Sequence, residues 1–184
     1  MLRKAFLLLL VLILIPCISH GETKTYSLDS NSAKAYNNRG VAWDKKGDYD
    51  RAISDYSKAI ELNPRYVKAY NNRGIAWDKK GDYDRAISDY SKAIELNPRF
   101  AESYYNRGIT WDKKGDYDRA ISAYSKAIEL NPRYADAYNN RAVAYYFKRQ
   151  HGKAWDDIHK LQNLGSKVHP GFLKALREAS GRQE

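Results

Sequence analysis

Four asparagines, Asn38, Asn72, Asn106 and Asn140, recur at intervals of 34 residues, and three of them follow a second asparagine at Asn37, Asn71 and Asn139. An amide side chain carries both donor and acceptor, so it can pair with one peptide unit without reading the side chain attached to it. This is chemistry of recognition, not of bond making. Val41, Ile75, Ile109 and Val143 follow the same interval and would add apolar contacts, with Tyr105 and Tyr146 beside them.

Bond-making chemistry finds no constellation to carry it. His151, His159 and His169 lack the i, i+4 spacing of a helical metal site, and no phosphate loop, nucleophile elbow or zinc motif is present. The repeated carboxylates stand at helix caps and first turns, where they complement the helix dipole. The expectation is therefore no catalytic residue, no metal and no cofactor.

The 184 residues, 43% hydrophobic and 29% charged, suit one globular unit. Residues 1–21 read as an export signal. Arg3 and Lys4 supply the positive region, and Ala5 to Ile15 form an apolar run too short to span a bilayer. Ser19 and Gly21 place small residues before a cut after Gly21, giving a periplasmic or secreted chain with no later membrane span. Leu14 to Cys17 offers a lipoprotein box as the alternative, against which Pro16 stands next to the cysteine. Cys17 is the single cysteine, so a chain cut after Gly21 would have neither disulfide nor thiolate site.

Positioning those side chains falls to repeated helix pairs. Segments 33–66, 67–100, 101–134 and 135–168 align without gaps at a period of 34, and the first two differ only at Ala33/Val67, Val41/Ile75 and Tyr66/Phe100. Within 49–62, Tyr49, Ala52, Ile53, Tyr56, Ala59 and Ile60 keep the spacing of one helix face. Gly47 stops the preceding helix, Asp48 caps this one, and Asn63 with Pro64 ends it. Gly40, Ala52 and Ala59 would allow close helix approach, with Tyr36, Trp43 and Tyr56 filling the space beside them. The fourth copy drifts, with Ala142, Tyr145, Arg149, Ile158 and Ser166 at positions that hold Gly, Trp, Gly, Tyr and Pro in the earlier copies. Residues 169–180, with Phe172, Leu173, Leu176 and Ala179 at helical spacing, predict a capping helix. Residues 22–32 read as a flexible leader and 181–184 as a tail.

The period and the set Tyr36, Gly40, Trp43, Gly47, Tyr49, Ala52, Tyr56, Ala59 and Pro64 resemble the tetratricopeptide repeat family. That resemblance implies an all-α, right-handed solenoid of four helix hairpins plus the cap, stable through stacking of neighbours. It implies a non-enzymatic interaction module that takes a polypeptide in its concave groove, and it leaves self-association open. On the helix wheel, repeat positions 2, 5, 6, 9, 12 and 13 fall in the groove sector. The residues expected to contact a peptide are Asn37, Asn38, Val41, Asn71, Asn72, Ile75, Tyr105, Asn106, Ile109, Asn139, Asn140 and Tyr146. The row at position 6 resembles the asparagine ladder of O-linked N-acetylglucosamine transferases, and repeat consensus is the other reading of the same residues. The family's two-carboxylate clamp is not matched, because its five positions hold Asn37, Val41, Asn72, Glu102 and Asn106, of which one fits.

Charge adds a second functional reading. Removing Arg3 and Lys4 lowers the formal charge from +10 to +8, and the excess gathers at Lys148, Arg149, Lys153, Lys160 and Lys167. In the first three repeats lysines alternate with acids, so no single-sign stripe forms and nucleic acid is not an expected partner. A structural role against anionic envelope polymers or lipid remains the alternative for the basic end. Arg39, Arg73, Arg107 and Arg141 stand four residues before Trp43, Trp77, Trp111 and Tyr145, a spacing that predicts guanidinium stacking on the ring.

Overall fold

The computed structural model describes residues 20–181, with side chains from residue 31. Nine helices follow in order among the described residues: α1 (His20–Lys45), α2 (Tyr49–Leu62), α3 (Val67–Lys79), α4 (Tyr83–Leu96), α5 (Ala101–Lys113), α6 (Tyr117–Leu130), α7 (Ala135–Phe147), α8 (His151–Asn163) and α9 (Pro170–Ser180). The export-signal reading lies, up to residue 19, outside the described residues. Residues 22–32, expected as a flexible leader, are instead continuous with α1. Neither proline nor glycine lies between Glu22 and Arg39 to stop that helix.

Each hairpin is cut by the same local chemistry. Asp48, Asp82 and Asp116 cap α2, α4 and α6 by accepting the backbone N–H of Arg51, Arg85 and Arg119. The residue just before each cap turns the chain with a left-handed φ of +79° at Gly47, +82° at Gly81 and +76° at Gly115. In the fourth hairpin that position is Arg149 at +56°. At the far ends of α2, α4 and α6, the side-chain oxygens of Asn63, Asn97 and Asn131 accept the N–H two residues ahead, folding each exit into a tight turn.

Packing within a hairpin is keyed by glycine against tyrosine. A β-carbon on Gly40, Gly74 or Gly108 would lie 2.7, 2.6 or 2.5 Å from the ring of Tyr56, Tyr90 or Tyr124. Those three rings are buried, as are Ala52, Ala59 and their counterparts. The fourth hairpin changes both partners together, pairing Ala142 with Ile158, and both are fully buried. Its core continues through Trp155 and Leu161 to Leu176 of α9, and Trp155 Nε1 donates to Ser180 Oγ at 3.1 Å.

Consecutive helices pack in pairs along the chain, and successive odd helices also touch one another, α1 to α3, α3 to α5 and α5 to α7. No such row of contacts joins the even helices. The odd helices therefore form the inner, concave layer of an α-solenoid, and α9 closes its last hairpin.

Candidate functional site

The inner layer is sewn together by the very amides that the sequence singles out. Asn72 Nδ2 donates to Asn37 Oδ1 at 3.1 Å, and Asn106 Nδ2 to Asn71 Oδ1 at 3.1 Å. Asn140 Nδ2 donates to the Tyr105 hydroxyl at 3.2 Å, because tyrosine replaces the first asparagine in the third repeat. Each of these three asparagines thus reaches back to the preceding repeat. Asn38 has no preceding repeat and is exposed, while Asn72, Asn106 and Asn140 are half-buried.

This corrects the assignment of Asn37 and Asn71 as peptide-facing groups. Both are buried, at 5% and 6% exposure, and Asn71 also accepts from the Ser103 hydroxyl at 2.9 Å. Positions 5 and 6 share a wheel sector, but the next repeat stacks over the first of them and bonds to it. Asn139 is half-buried and donates to its neighbour Asn140 at 3.3 Å. Val41, Ile75, Ile109 and Val143 are half-buried along the same face. Tyr105 packs against Tyr134 at 4.7 Å between ring centroids, and Tyr146 against Phe172 of α9 at 5.7 Å, edge to face.

A charge lattice runs beside the amides. Lys79 Nζ bonds Asp44 at 2.7 Å and lies over the Tyr49 ring, and Lys113 repeats the arrangement with Asp78 and Tyr83. A second row links Lys80 to Asp50, Lys114 to Asp84 and Lys148 to Asp118. The first row breaks in the fourth repeat. Phe147 takes the lysine's place, stacks on Tyr117 at 5.2 Å, and remains 56% exposed. Asp112 thus lacks the lysine that Asp44 and Asp78 have; its Oδ1, like that of Asp44, is buried without a hydrogen-bond partner, and burial pushes its carboxyl above the usual carboxylate range. Of the basic C-terminal residues, Lys148 is thus paired with Asp118, while Arg149, Lys153, Lys160 and Lys167 are exposed.

The arginines do not follow their expected stacking. Arg39, Arg73 and Arg141 each fork onto an aspartate sixteen residues ahead, Asp55, Asp89 and Asp157, with contacts of 2.7–2.9 Å. Arg39, Arg73, Arg107 and Arg141 lie over Tyr36, Tyr70, Tyr104 and Tyr138, three residues back, with or without the aspartate. Trp43, Trp77 and Trp111 instead take Arg51, Arg85 and Arg119, at 4.5, 4.0 and 4.4 Å. Only Arg141 keeps the expected ring, lying over Tyr145 at 5.8 Å. Arg107 has no aspartate in register, since Ala123 occupies that position. That gap is visible in the aligned copies.

Among the described residues no group of three or more His, Cys, Asp or Glu is placed to hold a metal. No helix among them is long and apolar enough to cross a membrane.

Comparison with known proteins follows this geometry. Residues 33–66 and 67–100 each match a family model described as tetratricopeptide repeat, residues 90–122 match another of the same description, and residues 113–148 match one described as TPR repeat. No curated protein matches the chain. Two crystal structures of MamA superpose with a TM-score of 0.70. One is 28% identical and covers 78% of this chain and 84% of that one; the other is 29% identical and covers 82% and 83%. The first TPR of Spaghetti (RPAP3), bound to the HSP90 peptide SRMEEVD, superposes with a TM-score of 0.62 at 26% identity, covering 64% of this chain and 93% of that one.

Proposed function

Because this chain belongs to the tetratricopeptide repeat family, whose helix pairs serve as protein–protein interaction modules, we propose that its inner face holds an extended polypeptide by the backbone. The carrying observation is the row Asn38, Asn72, Asn106 and Asn140. A primary amide has two N–H donors and a carbonyl with two lone pairs, and the bond to the preceding repeat uses one donor. One donor and an acceptor remain on each for a peptide unit. The inter-repeat bond also holds the side chain in place before binding, which reduces the entropy lost on association. Val41, Ile75, Ile109 and Val143 supply the apolar strip.

Acidic peptide ends are poor ligands on this reading. The RPAP3 domain is seen with SRMEEVD, whose end is acidic. Here the clamp positions hold Asn37, which is buried, Val41, Asn72, Glu102 and Asn106. Two lysines of the inner face, Lys79 and Lys113, are already bonded to Asp44 and Asp78. The other end of the face offers the opposite charge. Asp112 lacks its lysine, and exposed Phe147 stands where that lysine would be. A basic residue beside an apolar one suits this end.

Array screening of extended peptides, followed by calorimetry on the best binder, tests the reading. The free acid and the C-terminal amide should bind alike. Asn38→Ala, which breaks no inter-repeat bond, should weaken binding by about 1 kcal/mol, roughly fivefold, with the melt unchanged. Normal binding by Asn38→Ala, with loss of binding when exposed lysines are changed, would sink the proposal.

A further inference from the structure

Two repeats satisfy a half-buried arginine from within the chain, Arg73 and Arg141, and one does not. Arg73, Arg107 and Arg141 all donate Nη1 to a serine of the preceding even helix, Ser57, Ser91 and Ser125, at 3.0, 3.2 and 2.8 Å. Arg73 and Arg141 then place Nε and Nη2 on their aspartates. In the third repeat the in-register residue is Ala123, buried at 3% exposure. Arg107 Nε is buried with no hydrogen-bond partner, and its remaining neighbour is the Tyr104 ring at 5.6 Å. The hydrogen bonds that Arg39 and Arg73 donate to their aspartates raise both above the ordinary arginine value, whereas burial lowers Arg107.

A cavity of about 420 Å³ opens beside this group, lined by Tyr104, Arg107, Ser122, Ser125, Lys126 and Glu129. Four of the six belong to α6, an even helix, so the cavity does not lie on the asparagine row of the odd helices. Lys126 is held by Glu129 at 2.6 Å and is not free to lead recognition. The Nε–Nη2 fork is the group left to fill, and its two parallel donors match the two oxygens of a carboxylate. Glu129 sets the charge limit, since a dianion such as phosphate would meet a like charge across the cavity. We infer that the third repeat carries a monocarboxylate site in which an external carboxylate, entering this cavity, takes the role on Arg107 that an aspartate plays on Arg73 and Arg141. The source is an aspartate or glutamate of a partner polypeptide or a free small monocarboxylate.

The test titrates acetate, inorganic phosphate and N-acetyl-Gly-Asp-Gly-amide into the whole chain at constant ionic strength, reading arginine Nε–H resonances and the thermal melt. Arg107 should show one saturable shift with acetate, with phosphate weaker. Ala123→Asp should melt higher without ligand and lose at least tenfold in acetate affinity. Asp89→Ala should create a second responding arginine, Arg73. Should Ala123→Asp fail to fold, Arg107→Met carries the comparison and should lose the response. Tighter binding of the aspartyl peptide than of acetate supports a partner's side chain, and the reverse supports a free acid. Silence at Arg107 with both ligands, or equal acetate stabilisation of the parent and Ala123→Asp, overturns the site.

Discussion

The first two repeats and the last two use one template to different ends. In the first half Arg39 and Arg73 meet Asp55 and Asp89, and the Asp44 and Asp78 carboxylates meet lysines from the next repeat. In the second half Asp becomes Ala123, Lys becomes Phe147, the mid-loop Gly becomes Arg149 and the keyed Tyr becomes Ile158. Arg107 loses its carboxylate, Asp112 loses its lysine, and Phe147 is left exposed. Where the copies agree, most of these donors and acceptors meet one another, although one oxygen of Asp44 stays buried without a partner. Capacity for a ligand arises where the copy fails.

The sharpest way to break this comparison is to exchange the packing keys. Gly74→Ala puts a β-carbon 2.6 Å from the buried Tyr90 ring and should destabilise by about 1–3 kcal/mol in urea denaturation. Adding Tyr90→Ile, which reproduces the Ala142 and Ile158 pair, should recover most of that loss. A harmless Gly74→Ala would show that the two halves pack by one rule.

A smaller effect separates the amides by what lies behind them. Asn106→Ala removes a donor from buried Asn71 and should cost about 1 kcal/mol. Asn140→Ala removes one from the half-buried Tyr105 hydroxyl, which water can reach in part, so its cost should be less. Melts of equal height for the two variants would erase the distinction.

Smallest is the unpaired carboxylate. Burial raises the Asp112 carboxyl in the folded state, so its contribution to stability is present below the unfolded pKa and is lost as pH rises through the folded one. Asp112→Asn removes that loss. The variant should melt slightly above the parent at neutral pH, by under about 1 kcal/mol, and the gap should close below about pH 4. A gap that persists in acid would assign the gain to hydrogen bonding instead of charge.

Local signals made the hairpins legible. Gly47, Asp48, Asn63 and Pro64 act within a few residues of themselves, and the 34-residue period repeats their message. The row at position 6 was legible for the same reason. Its partners were not, because a helix wheel describes one helix in isolation. Asn37 sits in the groove sector of that wheel and is buried only once α3 stacks on α1. The Arg39 to Asp55 pair spans sixteen residues and two helices, so reading within one turn favoured Trp43 instead. Arg107 is hard to read from the sequence because its signal is an absence, an alanine in register with three aspartates.

The bonds between repeats also have a direction. Asn72, Asn106 and Asn140 each donate backward, and the groups at Asn37, Asn71 and Tyr105 receive. A junction of this kind is a head-to-tail joint, and unlike a two-fold contact it is not used up by a single pairing. Every added unit recreates the surface that accepted it, as a growing polymer end does. Length is then a property of termination and not of the repeat. Here α9 is the chain stopper, laying Leu176 into the last core and Phe172 against Tyr146.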